Sequence, residues 1–136
     1  MRAPAMLMFA TLAAPAAAGE LPEFRPGLWE FRRSVDGGDG TPASLTNQKC
    51  TSPTEDMRKK TESMAQSGCQ PSPVTKSGDL YTFSLNCRIQ GVDVSSRTLI
   101  KVENDSAYVV DAESKQNGNV TREHLVATRL GDCPAE

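Results

Sequence analysis

Four cysteines, one histidine and a few closely spaced carboxylates are the side chains of this 136-residue chain that invite a chemical reading. The cysteines stand at positions 50, 69, 87 and 133. An even count in a short exported chain points to a disulfide framework. A zinc site needs closely spaced ligands, but no two of these cysteines are two to four residues apart and only His124 could join them. Asp111 and Glu113 stand two apart on a strand-like segment, as acid–base carboxylates can, with Lys115 following them. Solvated side chains explain that spacing better. Asp36, Asp39 and the glycines between them lack the spacing and terminal glutamate of a calcium loop. Glycine-rich phosphate-binding signatures and a nucleophile elbow are absent. The expectation is therefore a protein with no catalytic residue, no metal and no cofactor.

The ends of the chain suggest where it works. Met1 and Arg2 open a short basic start, Ala3 to Ala14 is an apolar run, Pro15 breaks it, and Ala16-Ala17-Ala18 supplies small residues. This pattern predicts a secretory signal over residues 1–18, cleaved after Ala18, with residues 19–136 as a single domain. The apolar run is too short for the roughly 20 residues of a membrane span. Removal of Arg2 leaves fourteen basic and seventeen acidic residues. That mild, dispersed acidity argues against nucleic acid as a partner. A periplasmic or secreted location with no membrane span in the mature form follows as the expectation.

In that oxidising setting the cysteines pair by a symmetry of the sequence. Cys69 and Cys87 are equidistant from Gly78, in the turn-like Ser77-Gly78-Asp79. The following segment alternates strictly, with Tyr81, Phe83, Leu85 and Cys87 on one face. Folded as a hairpin, the two arms bring Cys69 opposite Cys87, within disulfide reach. Cys50 is then left for Cys133.

The remaining elements follow from periodicity and turn chemistry. Leu28 to Val35 reads as a strand with Trp29, Phe31 and Val35 on one face, and Ala43 to Cys50 as a weaker, polar strand. Ser52-Pro53-Thr54-Glu55 announces a helix, with Ser52 as cap, Pro53 in the first turn and Glu55 completing a capping box. It should run to Ser67 and stop at Gly68, with Met57, Thr61, Met64 and Ala65 as its narrow apolar stripe. Val92 to Glu103 and Ala107 to Gln116 are strands, and a three-residue loop at Asn104-Asp105-Ser106 would set Val102 against Tyr108 and Ile100 against Val110. Asn117-Gly118 is a two-residue hairpin signal. Its register puts Leu125 opposite Val110 and Ala127 opposite Tyr108, and turns His124 outward beside Asp111. The fold class is mainly β (α+β): a curled antiparallel meander sheet or half-barrel of five to seven strands, one helix packed on it, and two disulfides.

Several short motifs together resemble a known family. They are Pro26-Gly27-Leu28-Trp29-Glu30, Gln48-Lys49-Cys50 before the helix, Gly68-Cys69, Tyr81-Thr82-Phe83 with Cys87, and the closing Arg129-Leu130-Gly131-Asp132-Cys133-Pro134. The chain is similar to the domain of unknown function 3617 family of small exported bacterial proteins over nearly its whole mature length. The resemblance implies a periplasmic or secreted setting and two disulfides, and supplies no catalytic or binding residues. Within those motifs Trp29 reads as a core anchor, and Gly27 and Gly131 as turn residues. The functional expectation is a protein-interaction or envelope-associated module whose partner is an unknown envelope protein, with the polar strand at Ala43 to Cys50 as its candidate sheet edge. The alternative is binding of a small apolar ligand by Trp29, Phe31, Tyr81, Phe83 and Met64.

Overall fold

The computed structural model describes residues 20–37 and 42–135. Residues 1–18, expected to be a signal segment, and most of the Gly/Asp loop, Asp39 included, lie outside the described residues. The elements are β1 (Gly27–Asp36), β2 (Ala43–Thr51), α1 (Pro53–Gln66), β3 (Cys69–Pro71), β4 (Thr75–Ser77), β5 (Leu80–Ile89), β6 (Val92–Asn104), β7 (Ala107–Gln116) and β8 (Asn119–Gly131).

Among the described residues these eight strands form one open antiparallel sheet, in the order β2-β1-β8-β7-β6-β5-β3, with β4 also paired to β5. The count exceeds the expected five to seven because the arm before the Gly78 turn is two strands. Pro71 and Pro73 carry no N–H to continue a ladder, so the regular pairing with β5 is broken between Pro71 and Thr75, although the Ser72 N–H still donates to the Ser84 carbonyl at 2.8 Å. The meander runs from β4 to β8. The first hairpin, β1–β2, attaches to β8, and α1 carries the chain from the β2 edge to the β3 edge.

The hairpin registers come out as the turn chemistry requires. Asn117 and Gly118 both have positive φ, and Gln116 pairs Asn119 across a two-residue turn. Leu125 faces Val110 and Ala127 faces Tyr108. Val102 faces Tyr108 and Ile100 faces Val110, but the turn between β6 and β7 is the two residues Asp105-Ser106, not three. A bulge between Val102 and Asn104 absorbs the extra residue and keeps the apolar positions on one face.

Those positions make a small core: Phe24, Trp29, Ile100, Tyr108, Leu125 and Ala127. Trp29 is 0 % exposed, and its indole N–H donates to the Arg25 carbonyl at 2.9 Å. Phe24 stacks on Tyr108 with centroids 4.3 Å apart and meets Trp29 edge-on at 6.0 Å. Gly27 lies within β1, not in a turn. A Cβ there would fall 2.5 Å from the Gly131 carbonyl oxygen, so the glycine permits a close backbone approach. Gly131 ends β8.

The helix is anchored by its first turn more than by its stripe. Pro53 and Thr54 are its buried residues, while Met57 is half-buried against the core, Met64 is half-buried and Ala65 exposed. Ser52 occupies the cap position without a side-chain capping bond, and the Glu55 carboxylate pairs with Arg58, so the capping box does not form. Asp56, also in the first turn, accepts the Thr51 hydroxyl at 2.5 Å and lies 3.7 Å from Lys49 Nζ. Asp56 thus sits in the first turn of the helix, at the positive end of its dipole, where an acidic side chain is stabilising. Burial, and then the Asp56 carboxylate, push the Tyr108 phenol well above its ordinary range, with Arg33 pulling the other way.

Both disulfides form as paired from the sequence. Cys69 and Cys87 are direct cross-strand partners on β3 and β5, with Cα atoms 3.9 Å apart. Cys50 on β2 bonds Cys133 beyond β8, with Cα atoms 5.6 Å apart. That second bridge spans β1, which lies between β2 and β8.

Candidate functional site

The two faces of the sheet and its β2 edge present different chemistry. Strand alternation sends Trp29, Phe31, Tyr81 and Phe83 to the face that carries α1. Trp29 is sealed inside the core, so a ligand cannot reach it. Phe31, Tyr81 and Phe83 are half-buried and pack against the core. Met64 is half-buried on the second half of the helix. The same face carries a polar feature, an ion pair of Arg33 Nε with Glu123 Oε1 at 2.6 Å. The sequence offered no sign of it, because Arg33 and Glu123 meet only through the β1–β8 pairing.

On the opposite face the register builds two rows of side chains. One runs Leu99, Asp111, His124 and Ser34 across β6, β7, β8 and β1, and the next runs Arg97, Glu113, Arg122 and Asp36. His124 is exposed beside Asp111, as its register required, and its Nδ1–H donates to Asp111 Oδ1 at 2.6 Å. Glu113 accepts from Arg122 at 3.2 Å and lies 3.6 Å from Lys115 Nζ, consistent with solvated strand-face charges. A groove of about 480 Å³ opens over these rows, and Ser34, His124 and Asp111 all line it. Ser34 was not visible as a neighbour of His124 from the sequence, for the same reason that Arg33 and Glu123 were not.

The β2 edge is the third feature. Ala43 to Cys50 are exposed throughout, and β2 pairs β1 over nine consecutive positions without a bulge. It has no proline, and Lys49 is its single charged residue. Leu45 is 62 % exposed, on the helix-side face opposite Arg33. The other edge is guarded differently. There β3 and β4 have three residues each, prolines interrupt them, and α1 packs on β3. The sequence pointed to β2 as the edge, and the topology places it there.

Taken together, the described residues define a class: an open antiparallel sheet with one crossing helix, two disulfides, and one long edge that none of the described elements covers. A model of the family DUF3617, described as "Protein of unknown function", matches residues 24–133. The chain belongs to the DUF3617 family. No curated protein and no solved structure matches it. Among the described residues no helix is long and apolar enough to cross a membrane, and no group of metal-ligating side chains is assembled.

Proposed function

We propose that this domain is a protein-interaction module of the cell envelope that receives an extended segment of its partner along β2. The observation that carries the reading is the unequal treatment of the two edges. A strand at a sheet edge presents unpaired N–H and C=O groups, and proteins blunt such edges with short strands, prolines, charges or covering elements. The β3–β4 edge has the short strands, the prolines and the helix, while β2 has nine regular residues, eight of them exposed, and one charge. Strand addition supplies affinity through main-chain bonds, and exposed side chains such as Leu45 supply selectivity. The two disulfides fit an oxidising, exported setting.

Adjacent residues of an antiparallel strand direct their N–H groups to opposite sides. Of Thr46→Pro and Asn47→Pro, one therefore breaks the ladder to β1 and the other removes only an outward-facing donor. The fold-retaining variant is the informative one. A photo-crosslinker at Leu45, used in the exporting cell, should trap a partner that the fold-retaining proline variant loses. Hydrogen exchange of the purified pair should then show new protection of β2 amides. Protection confined to the helix-side face around Phe31 and Phe83, with β2 unchanged, would overturn the edge reading. A discrete apolar molecule retained in the native mass would favour the small-ligand alternative.

A further inference from the structure

We propose that Ser34, His124 and Asp111 form an acyl-transfer site on the face of the sheet opposite the helix, acting on small neutral esters. The three residues sit on neighbouring strands β1, β8 and β7 as successive cross-strand partners, Ser34 with His124 and His124 with Asp111. The β1–β8 register is regular at this point, its one shift lying at Leu28/Trp29. Directly opposed side chains on one face have Cβ atoms roughly 4.5–5.5 Å apart, so the Ser34 hydroxyl is within side-chain reach of the imidazole.

The orientation of the imidazole carries the argument. Asp111 is a carboxylate and can only accept, so the 2.6 Å contact fixes the proton on Nδ1. The ring then turns its Nδ1 edge to β7. Cδ2 and Nε2 form the other edge of an imidazole held this way, and the cross-strand neighbour of His124 on the side away from Asp111 is Ser34 on β1. This division of roles serves a serine nucleophile: a carboxylate orients the ring, and the free Nε2 lone pair takes the hydroxyl proton. In the step itself, Ser34 Oγ bonds to the ester carbonyl carbon and His124 Nε2 receives the proton. The carbon–alkoxide bond then breaks, and the alcohol leaves with that proton. Water, activated by His124 in the same way, releases the acid and restores Ser34. Ser34 and His124 touch the reacting atoms, and Asp111 is a positioning residue.

The groove narrows the substrate. At about 480 Å³ it holds a small molecule, and Leu99 gives it an apolar patch. Asp36, Asp111 and Glu113 outnumber Arg97 and Arg122 on this face, which disfavours an anionic acyl group. Backbone N–H groups in mid-sheet are committed to the ladder. Arg122, two residues along β8 on the same face, bonds Glu113 through Nε and leaves its terminal guanidinium N–H groups as donors for a developing oxyanion. Without a pair of preorganised amide donors, a factor on the order of 10²–10³ in rate is missing, so turnover is slow. Covalent labelling of the serine is therefore a sharper readout than product formation.

The test is a fluorophosphonate probe on the full-length exported protein with both disulfides intact. In the labelling reaction Ser34 Oγ bonds to phosphorus, and fluoride leaves with the proton. The expected result is a single phosphonyl adduct on the peptide containing Ser34, absent in S34A and slowed about 100-fold or more in H124Q. D111N should slow labelling and D111E should restore it, which a merely structural role for Asp111 would not do. All these side chains are exposed, and circular dichroism with the unreduced mass verifies that each variant is folded. No adduct on folded protein, an adduct elsewhere, or H124Q labelling as fast as the parent would overturn the proposal.

Discussion

The Thr54 hydroxyl accepts the Phe24 backbone N–H and donates to the Pro22 carbonyl, both at 2.9 Å, joining the first turn of the helix to the segment before β1. Thr54 is 3 % exposed, so both groups that it satisfies are out of reach of water. Thr54→Val keeps the shape and strands a buried donor and a buried acceptor. The expected loss is about 2–4 kcal/mol of unfolding free energy, read from urea denaturation. A loss under about 0.5 kcal/mol would mean that the Pro22–Phe24 segment is not held there.

The two disulfides should differ in worth. Their closures span 83 and 18 residues. The chain-entropy model then gives about 4.5 kcal/mol for Cys50–Cys133 and about 3 kcal/mol for Cys69–Cys87. Paired Cys→Ala variants, compared by thermal unfolding, should rank in that order. The reverse order would show that the cross-strand bridge stabilises the β3–β5 pairing directly, beyond its effect on the unfolded chain.

Gly27→Ala should be costly although Gly27 sits in a regular strand. Its added methyl would meet the Gly131 carbonyl oxygen at 2.5 Å and the Arg129 guanidinium. The arginine can move aside, but the backbone carbonyl cannot without shifting the end of β8. The expected cost is about 1–3 kcal/mol. Thermal melts of G27A would measure it, and an unchanged midpoint would contradict the close approach.

Alkaline pH should weaken the fold through Tyr108. Burial holds its phenol protonated to higher pH in the folded protein than in the unfolded chain. Its contribution is whole below about pH 10, the unfolded value, and is lost as pH rises toward the raised folded one, at about 1.4 kcal/mol per pH unit. Tyr108→Phe keeps the stacking on Phe24 and should flatten this slope. Urea titrations at pH 9, 10 and 11 would show it, and equal slopes in both proteins would refute it.

Much of the fold was legible because it is local. The Asn117-Gly118 turn dictates a two-residue connection, and with it every pair from Val110–Leu125 to Asp111–His124. Apolar alternation decides the β6–β7 register although the turn holds two residues and not the three that the sequence suggests, because the bulge after Val102 restores the phase that buries Tyr108 and Ile100 together. The Cys69–Cys87 pairing survived a similar slip. Its register centres on Gly78, while the turn itself, with Ser77 opposite Leu80, is offset by one, and the Pro71–Pro73 break takes up the difference. The capping box failed because Glu55 had Arg58 within reach and Asp56 had Thr51, partners that a four-residue motif does not display.

What the sequence by itself determined is most of the elements, the β6–β7 and β7–β8 registers, both disulfides and the identity of the exposed edge. All of these depend on turn chemistry and on periods of a few residues. The pairing of β1 with β8 was decided only in the tertiary structure. It joins segments about a hundred residues apart, with no turn between them to set a register; the Trp29 indole must reach the core beside Tyr108, and the Cys50–Cys133 bridge must close across β1. That one long-range pairing brings Arg33 to Glu123 and Ser34 to His124, so the chemistry of both faces arises where local pattern carries no information.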